Sequence, residues 1–318
     1  MTDARDNAGG PAASRSSGAG LQPAVVHVPQ DLTATVAASV ALAGLQSALA
    51  KARQWLPLDP PNPSLTLREI LDNNESGPRR FGYGTVRDYV IGLKVRLADG
   101  RIVKSGGQVV KNVAGYDLQK LFIGSGGTLA VPVEVTFKLR PIPERESFIA
   151  QRFVTLHAAG AAIEAVVESE LTPVVLDLHR LPERELQPAS TSTGPSASKR
   201  PEGRAPFAVV LGFDGTEEDV DWQLGLAAKL GFTENASLDH DKSFHAEARP
   251  FRKLSVLPSK LIETLHALGN EPFVARAGNG IVYHRANVAT PPPNLPTHWL
   301  CRVKDTFDPK HILPELPA

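Results

Sequence analysis

Between Arg79 and Arg140 the chain sets glycine turns, a Lys-Asn pair and a Tyr-Asp pair among three strand-like runs, and this stretch most limits the folds open to it. Its landmarks are Ser76-Gly77-Pro78-Arg79-Arg80, Tyr83-Gly84-Thr85-Val86-Arg87-Asp88, Lys111-Asn112-Val113-Ala114-Gly115-Tyr116-Asp117-Leu118 and Gly124-Ser125-Gly126-Gly127-Thr128-Leu129. Glycine lets a backbone enter left-handed angles and approach a neighbour closely. The segment therefore reads as a scaffold that cradles a cofactor.

The periodicity upstream and downstream fixes the surroundings of these turns. Leu32 to Val36 alternates like a strand, and Leu42, Leu45 and Leu49 then recur at helical spacing. Pro57-Leu58-Asp59-Pro60-Pro61-Asn62-Pro63 holds four prolines in seven residues, which excludes both helix and interior strand and predicts a rigid loop. Val90 to Leu97 and Arg101 to Lys104 flank Asp99-Gly100, a hairpin signal, and Val131 to Leu139 gives another strand. Past Arg145 the glycines thin out. Strands at Phe148 to Val154, Val174 to Leu178, Phe207 to Phe213, Phe273 to Ala277 and Gly280 to His284 are expected there. Helices at Ala158 to Ser169, Glu217 to Leu230 and Lys260 to Ala267 accompany them. The expected organisation is a disordered tail over 1–21, a first domain over 22–145, and a second over 146–318 with a flexible insertion at 186–206. The fold class is α+β, the second domain an antiparallel sheet with helices on one face.

Composition narrows the function classes. With 42% hydrophobic residues in 318, the chain can form two cores of ordinary size, and Lys plus Arg balances Asp plus Glu at 34 each, so no global field favours nucleic acid. No run of eighteen apolar residues occurs, which argues against direct membrane insertion and predicts a cytoplasmic protein, peripheral to a membrane only through partners. The single cysteine, Cys301, can neither close a disulfide within the chain nor hold an iron-sulfur cluster alone. Any such cluster belongs to a partner.

Several motifs support a plain and a functional reading side by side. Tyr83 to Asp88, taken alone, fits a hairpin entry with a solvated Arg87–Asp88 pair better than a ligand edge. Lys111 to Asp117 fits equally a capped helix ending near Phe122 or a close backbone approach at Gly115. Gly124 to Thr128 is by itself an ordinary turn, although such a turn can place amides against a phosphate. His240 and His245 stand five apart and do not share a helix face as an i, i+4 pair does, so no metal site is expected. Arg249, Arg252 and Lys253 read as a solvated positive face, and Trp55, Trp222 and Trp299 as packing residues.

The order and gaps of the landmarks resemble the FAD-linked oxidases of the vanillyl-alcohol-oxidase (PCMH) type, most closely the GlcE-type FAD-binding subunit of bacterial glycolate oxidase. Pro57, Asp59 and Pro60 look like the family's Pro-x-Asp-Pro loop, Asn74, Ser76 and Gly77 like its Asn-x-Ser-Gly turn, and Lys111 to Leu118 like its Lys-Asn-x-x-Gly-Tyr-Asp-Leu segment. The resemblance continues through Ala277 to Tyr283 and Val303 to Lys310. It implies FAD as cofactor and cofactor-side roles for Pro57, Asp59, Asn74, Ser76, Gly77, Tyr83, Gly84, Thr85, Arg87, Asp88, Gly115, Tyr116 and Asp117. It names no catalytic base. It also implies a small 2-hydroxy acid as substrate of a complex that contains a sister FAD-containing subunit and an iron-sulfur subunit.

Departures from the family pattern carry a second expectation. The glycine-rich loop that wraps the FAD pyrophosphate in the family has no counterpart ahead of Leu32, so the FAD domain reads as truncated at its N-terminus, unless the start codon lies further upstream. Arg68 and Glu69 replace two glycines, Ala130 replaces another, and Pro132 removes an amide. These changes leave open a structural or assembly subunit that keeps the fold with weak FAD binding or none.

Overall fold

The computed structural model describes residues 24–107, 117–181, 205–287 and 297–316. Strands Val25–Val28 (β1) and Thr33–Ala37 (β2), rich in β-branched residues, pair antiparallel. Helix Leu42–Ala50 (α1) buries the three leucines that define its period. A short strand Gln54–Trp55 (β3) enters the proline loop, and helices Leu67–Asn73 (α2), Arg80–Tyr83 (α3) and Val86–Tyr89 (α4) follow. Val90–Arg96 (β4) turns through Asp99-Gly100, where Gly100 takes φ +87°, into Ile102–Gly106 (β5). A single turn Gln119–Phe122 (α5) precedes Val131–Lys138 (β6).

These strands form one antiparallel sheet in the order β1-β2-β6-β4-β5. Its core packs Val36, Leu93, Val135 and Phe137 against leucines of α1 and α2. Pro132 lies where the β4–β6 register shifts between Lys94 and Val95, so the amide it lacks falls at an irregularity that the ladder already accommodates.

Arg140–Pro141 (β7) pairs with β3 and leads into a second unit. This comprises Arg145–Phe153 (β8), Leu156–Val167 (α6), Val175–Arg180 (β9), Phe207–Gly215 (β10), Glu217–Lys229 (α7), Glu234–Asn235 (β11), Asp239–Ala246 (α8), Arg252–Ser255 (β12), Leu261–Ala267 (α9), Phe273–Arg276 (β13) and Ile281–His284 (β14). Helices α6 and α7 start at Thr155 and Thr216, whose side chains accept from the backbone N–H three residues on. The sheet is antiparallel in the order β11-β8-β10-β9-β13-β14-β12. Leu176, Leu178, Val209, Leu211, Phe273 and Ala275 point to the face covered by α6, α7 and α9. The expected α+β architecture is the observed one.

Three features went unforeseen. Helix α8 covers the opposite face, where Phe244 packs on Val274, Ile281 and Tyr283, because successive strand residues alternate sides. Thr297–Phe307 (α10), expected with the second unit, packs on the first core instead. Its Val303 and Phe307, one helical turn apart, meet that core, and the Phe307 ring stands edge-on to Phe122 at 5.5 Å. Trp222 and Trp299, read as packing residues, are more than half exposed. The tail over 1–21 and nearly all of the 186–206 insertion fall outside the described residues.

The two units meet tightly at α3. A Cβ at Gly278 would overlap the Phe81 ring, and one at Gly82 would come within 2.7 Å of the Val174 backbone. Gly278→Ala is therefore expected to lower stability by about 1–3 kcal/mol in urea melts. Gly225→Ala in the open face of α7, where nothing lies within 4 Å, is expected to raise it by about 0.5–1 kcal/mol.

Candidate functional site

The rigid proline loop carries Asp59 to the junction of the two units. There the Asp59 amide donates to the Ser76 carbonyl at 3.1 Å, which fixes the loop against the Ser76-Gly77 turn. Arg79 closes the arrangement: its backbone N–H donates to Asp59 Oδ1 at 3.2 Å and its guanidinium to Asp59 Oδ2 at 2.5 Å. The same guanidinium donates through Nε to Glu146 of β8 at 2.9 Å, and through Nη2 as well. Beside this bridge opens a cleft of about 720 Å³, walled by Leu42, Pro60, Pro78, Phe148 and Leu238 and edged by Asp59. Burial pushes the Asp59 carboxyl up to about 7, against the opposing pull of Arg79 and Arg276.

The other expected site residues are placed as follows. Pro57 sits beside Asp59 in the loop. Ser76 is buried, and its hydroxyl accepts from the Val86 amide at 3.1 Å. Gly77 takes φ +87°, and a Cβ there would strike Asp59 itself. Tyr83 donates to Asp214 of β10 at 2.9 Å, a second tie between the units. Gly84 would set a Cβ 2.7 Å from Asp88, whose carboxylate accepts from both the amide and hydroxyl of Thr85. Arg87 donates through Nη2 to the carbonyls of Lys120 and Ile123 at 2.8 and 3.2 Å, so it does not form the solvated pair with Asp88. Asp117 is exposed and pairs with Lys120 at 2.9 Å. Gly115 and Tyr116 lie outside the described residues. Asn74 ends α2 in a left-handed conformation, and its Oδ1 is buried without a hydrogen-bond partner.

These residues do not converge on one hollow. A second one, about 640 Å³, lies between α10 and the turn Gly124 to Thr128, with Asp72, Arg87, Leu300 and Val303 in its walls. The amides of that turn face inward: Gly124 donates to Leu71 at 2.8 Å, Ser125 to Phe122 at 3.3 Å and Gly126 to Asp72 at 2.9 Å. The start of α2 is likewise closed. Leu67 and Arg68 donate to the Val40 and Ala38 carbonyls at 2.9 and 2.7 Å, and Glu69 donates to Thr66 Oγ1 at 3.2 Å. Glu69 returns its carboxylate to the Thr66 amide at 2.8 Å, a reciprocal cap.

Sequence reasoning missed two buried charge clusters. Arg276, 2% exposed, donates to Asp177 Oδ2 at 2.5 Å and to both Asp241 oxygens at 2.8 and 3.0 Å. Burial disfavours a charged Asp241, but Arg276 and His245 outweigh it and hold the carboxyl below the usual range. Lys304, also buried, reaches Asp308 at 2.5 Å and the Thr128 carbonyl at 3.0 Å, pinning α10 to the glycine-rich turn. Asp308, with Pro309 behind it, stands just past the end of α10. Its buried lysine partner four residues earlier was the overlooked signal.

Residues 20–106 match the family model for an FAD binding domain. The chain is 36% identical over 149 residues to glycolate oxidase subunit GlcD of Bacillus subtilis, covering 46% of this chain and 32% of that protein. It is 36% identical over 152 residues to glycolate oxidase subunit GlcE of Escherichia coli, covering 47% and 42%. It is 31% identical over 212 residues to a D-lactate dehydrogenase of Archaeoglobus fulgidus, covering 65% and 46%. The chain is related to FAD-linked oxidoreductases. The relatives give no clear preference for the GlcE type, and this chain spans less than half of the length of each. A solved alkyldihydroxyacetonephosphate synthase shares the fold, with TM-score 0.65 at 16% identity over 91% of this chain and 66% of that one.

The geometry allows a test of how FAD suits these residues. A pyrophosphate needs unengaged N–H groups or cations. The amides of Leu67, Arg68 and Glu69 at the start of α2, and those of Gly124, Ser125 and Gly126, are all taken up by oxygens of the protein and offer a pyrophosphate no donor.

The buried charges make two expectations measurable. Arg276→Met strands two buried carboxylates and is expected to cost about 3–5 kcal/mol in denaturant melts, while the triple change with Asp177→Asn and Asp241→Asn recovers most of it. Asp59 has a folded pKa raised above its ordinary 3.8, so the native state holds a proton that the unfolded chain releases. Its contribution is full below about pH 4 and is lost as pH rises towards 7. Relative to Asp59→Asn, the wild type should lose up to about 4 kcal/mol across that window, read from urea midpoints at stepped pH.

Proposed function

We propose that this chain is a subunit of an FAD-linked oxidoreductase assembly that oxidises a small 2-hydroxy acid of the glycolate or D-lactate class. Residues 22–145 would serve as its flavin-type domain and most of 146–318 as the cap. The observation that carries this reading is the similarity of 31–36% to glycolate oxidase subunits and a D-lactate dehydrogenase, together with the FAD binding domain match over residues 20–106, which include the proline loop. The two units enclose a cleft of about 720 Å³ beside that loop, a suitable place for small-molecule chemistry. FAD supplies the hydride-accepting chemistry in such an assembly. One cysteine cannot hold an iron-sulfur cluster, so electrons leaving the flavin would pass to a cysteine-rich partner, with a sister FAD-containing subunit beside it. No helix among the described residues is long and apolar enough to cross a membrane.

A second reading, a structural or assembly subunit, is favoured by the inward-facing amides of α2 and the glycine-rich turn. Under it the same complex forms, but the flavin chemistry runs elsewhere. The common part of both readings is tested by isolating the tagged chain from its own host. A flavoprotein and an iron-sulfur protein should co-purify, and the eluate should reduce a dye on addition of glycolate or D-lactate. Isolation of a lone chain without partners and without dye reduction would refute it.

A further inference from the structure

We propose that this chain keeps the flavin-domain scaffold but retains no FAD, because at α2 and at the glycine-rich turn the backbone donors that a cofactor phosphate could use are taken up by the protein's own groups. The inference deepens the assembly reading above by assigning this chain the role of a rigid wall without a redox group of its own.

Three separate observations lead there. The first is the start of α2. A helix beginning leaves unpaired N–H groups that attract anions, and here Leu67 and Arg68 donate to Val40 and Ala38 while Glu69 donates to Thr66. Glu69 then adds an anion of its own, its carboxylate accepting from the Thr66 amide at 2.8 Å and the Thr66 hydroxyl at 2.7 Å. Those two bonds hold the Glu69 carboxyl below its ordinary range, so it stays charged at neutral pH. A phosphate approaching this turn would meet the fixed negative charge of Glu69 and three amides already engaged, beside an Arg68 side chain drawn toward Asp72.

The second is the glycine-rich turn. Gly124, Gly126 and Gly127 all take positive φ, the conformation that could present amides outward. Gly124 and Gly126 instead donate to Leu71 and Asp72, the C-terminal carbonyls of α2, so the left-handed glycines serve to cap that helix. Lys304 holds the turn from the other side through the Thr128 carbonyl at 3.0 Å. Ala130, just beyond, is 1% exposed, its methyl packed in the core.

The third is that several of the described side chains between Asp59 and Asp88 are engaged by the protein itself. Arg79 bridges Asp59 and Glu146, Tyr83 reaches Asp214, Arg87 binds two carbonyls, and Thr85 pairs with Asp88. The Cβ spaces at Gly77 and Gly84 are filled by Asp59 and Asp88 rather than left open for a ligand.

The test uses the purified full chain and the purified assembly. The chain alone, incubated with excess FAD and desalted, should carry no flavin absorbance, and FAD should leave its melting temperature unchanged. In hydrogen exchange the amides of Leu67, Arg68, Gly124 and Gly126 should be protected without FAD and unaltered by it; this measurement also shows that the chain is folded. In the assembly the flavin count should equal the number of sister flavoprotein subunits. Stoichiometric flavin on the chain alone, protection of those amides that appears only with FAD, or one extra flavin per copy of this chain in the assembly would each overturn the proposal. Failure to find any assembly would instead remove the functional reading and leave the flavin result on the isolated chain standing.

Discussion

The bridge from Asp59 through Arg79 to Glu146 is the contact on which the junction depends. One guanidinium, with 13% of its side chain exposed, joins the proline loop, the start of α3 and the first strand of the second sheet. A planar fork with several donors can serve three directions where an ammonium could serve them only loosely. Phe81 against Gly278 and Tyr83 against Asp214 then seal the same short helix to the second unit. The cleft beside Asp59 exists because these ties hold its two walls at a fixed separation.

That tightness explains the contrast between scaffold and site. The sequence matches an FAD binding domain over residues 20–106, yet the amides at the start of α2 and those of Gly124 and Gly126 are taken up within the protein. Buried N–H groups need partners, and when no ligand is built into a fold the chain supplies them from carbonyls and side chains. Glu69 is the clearest case: with Thr66 it makes the start of α2 a reciprocally capped one. The outcome is a self-sufficient wall.

The same principle accounts for the buried clusters. Arg276 between Asp177 and Asp241, and Lys304 beside Asp308, are charges removed from water that persist because each is paired with a buried carboxylate. The first ties α8 to the inner face of the second sheet, and the second ties α10 back onto the first core. The bonds from Arg276 to Asp177 and Asp241, and from Lys304 to the Thr128 carbonyl, span distances in sequence that no local pattern reports.

Periodicity alone determined the strands and the longer helices, since alternation and the three- and four-residue spacing of Leu42, Leu45 and Leu49 are local consequences of burying one face. The Asp99-Gly100 hairpin, the proline loop and the resemblance of the turns were equally legible, because backbone conformation at Gly and Pro is a property of the residue. The sequence could not show where side chains would point. Arg87 read as a solvated charge or a ligand contact and became a clamp on two carbonyls; Tyr83 read as cofactor-facing and reached the other sheet. The sequence determined which turns exist, while only the tertiary structure decided that their donors face inward, because the direction of an N–H depends on which distant carbonyl comes within about 3 Å of it.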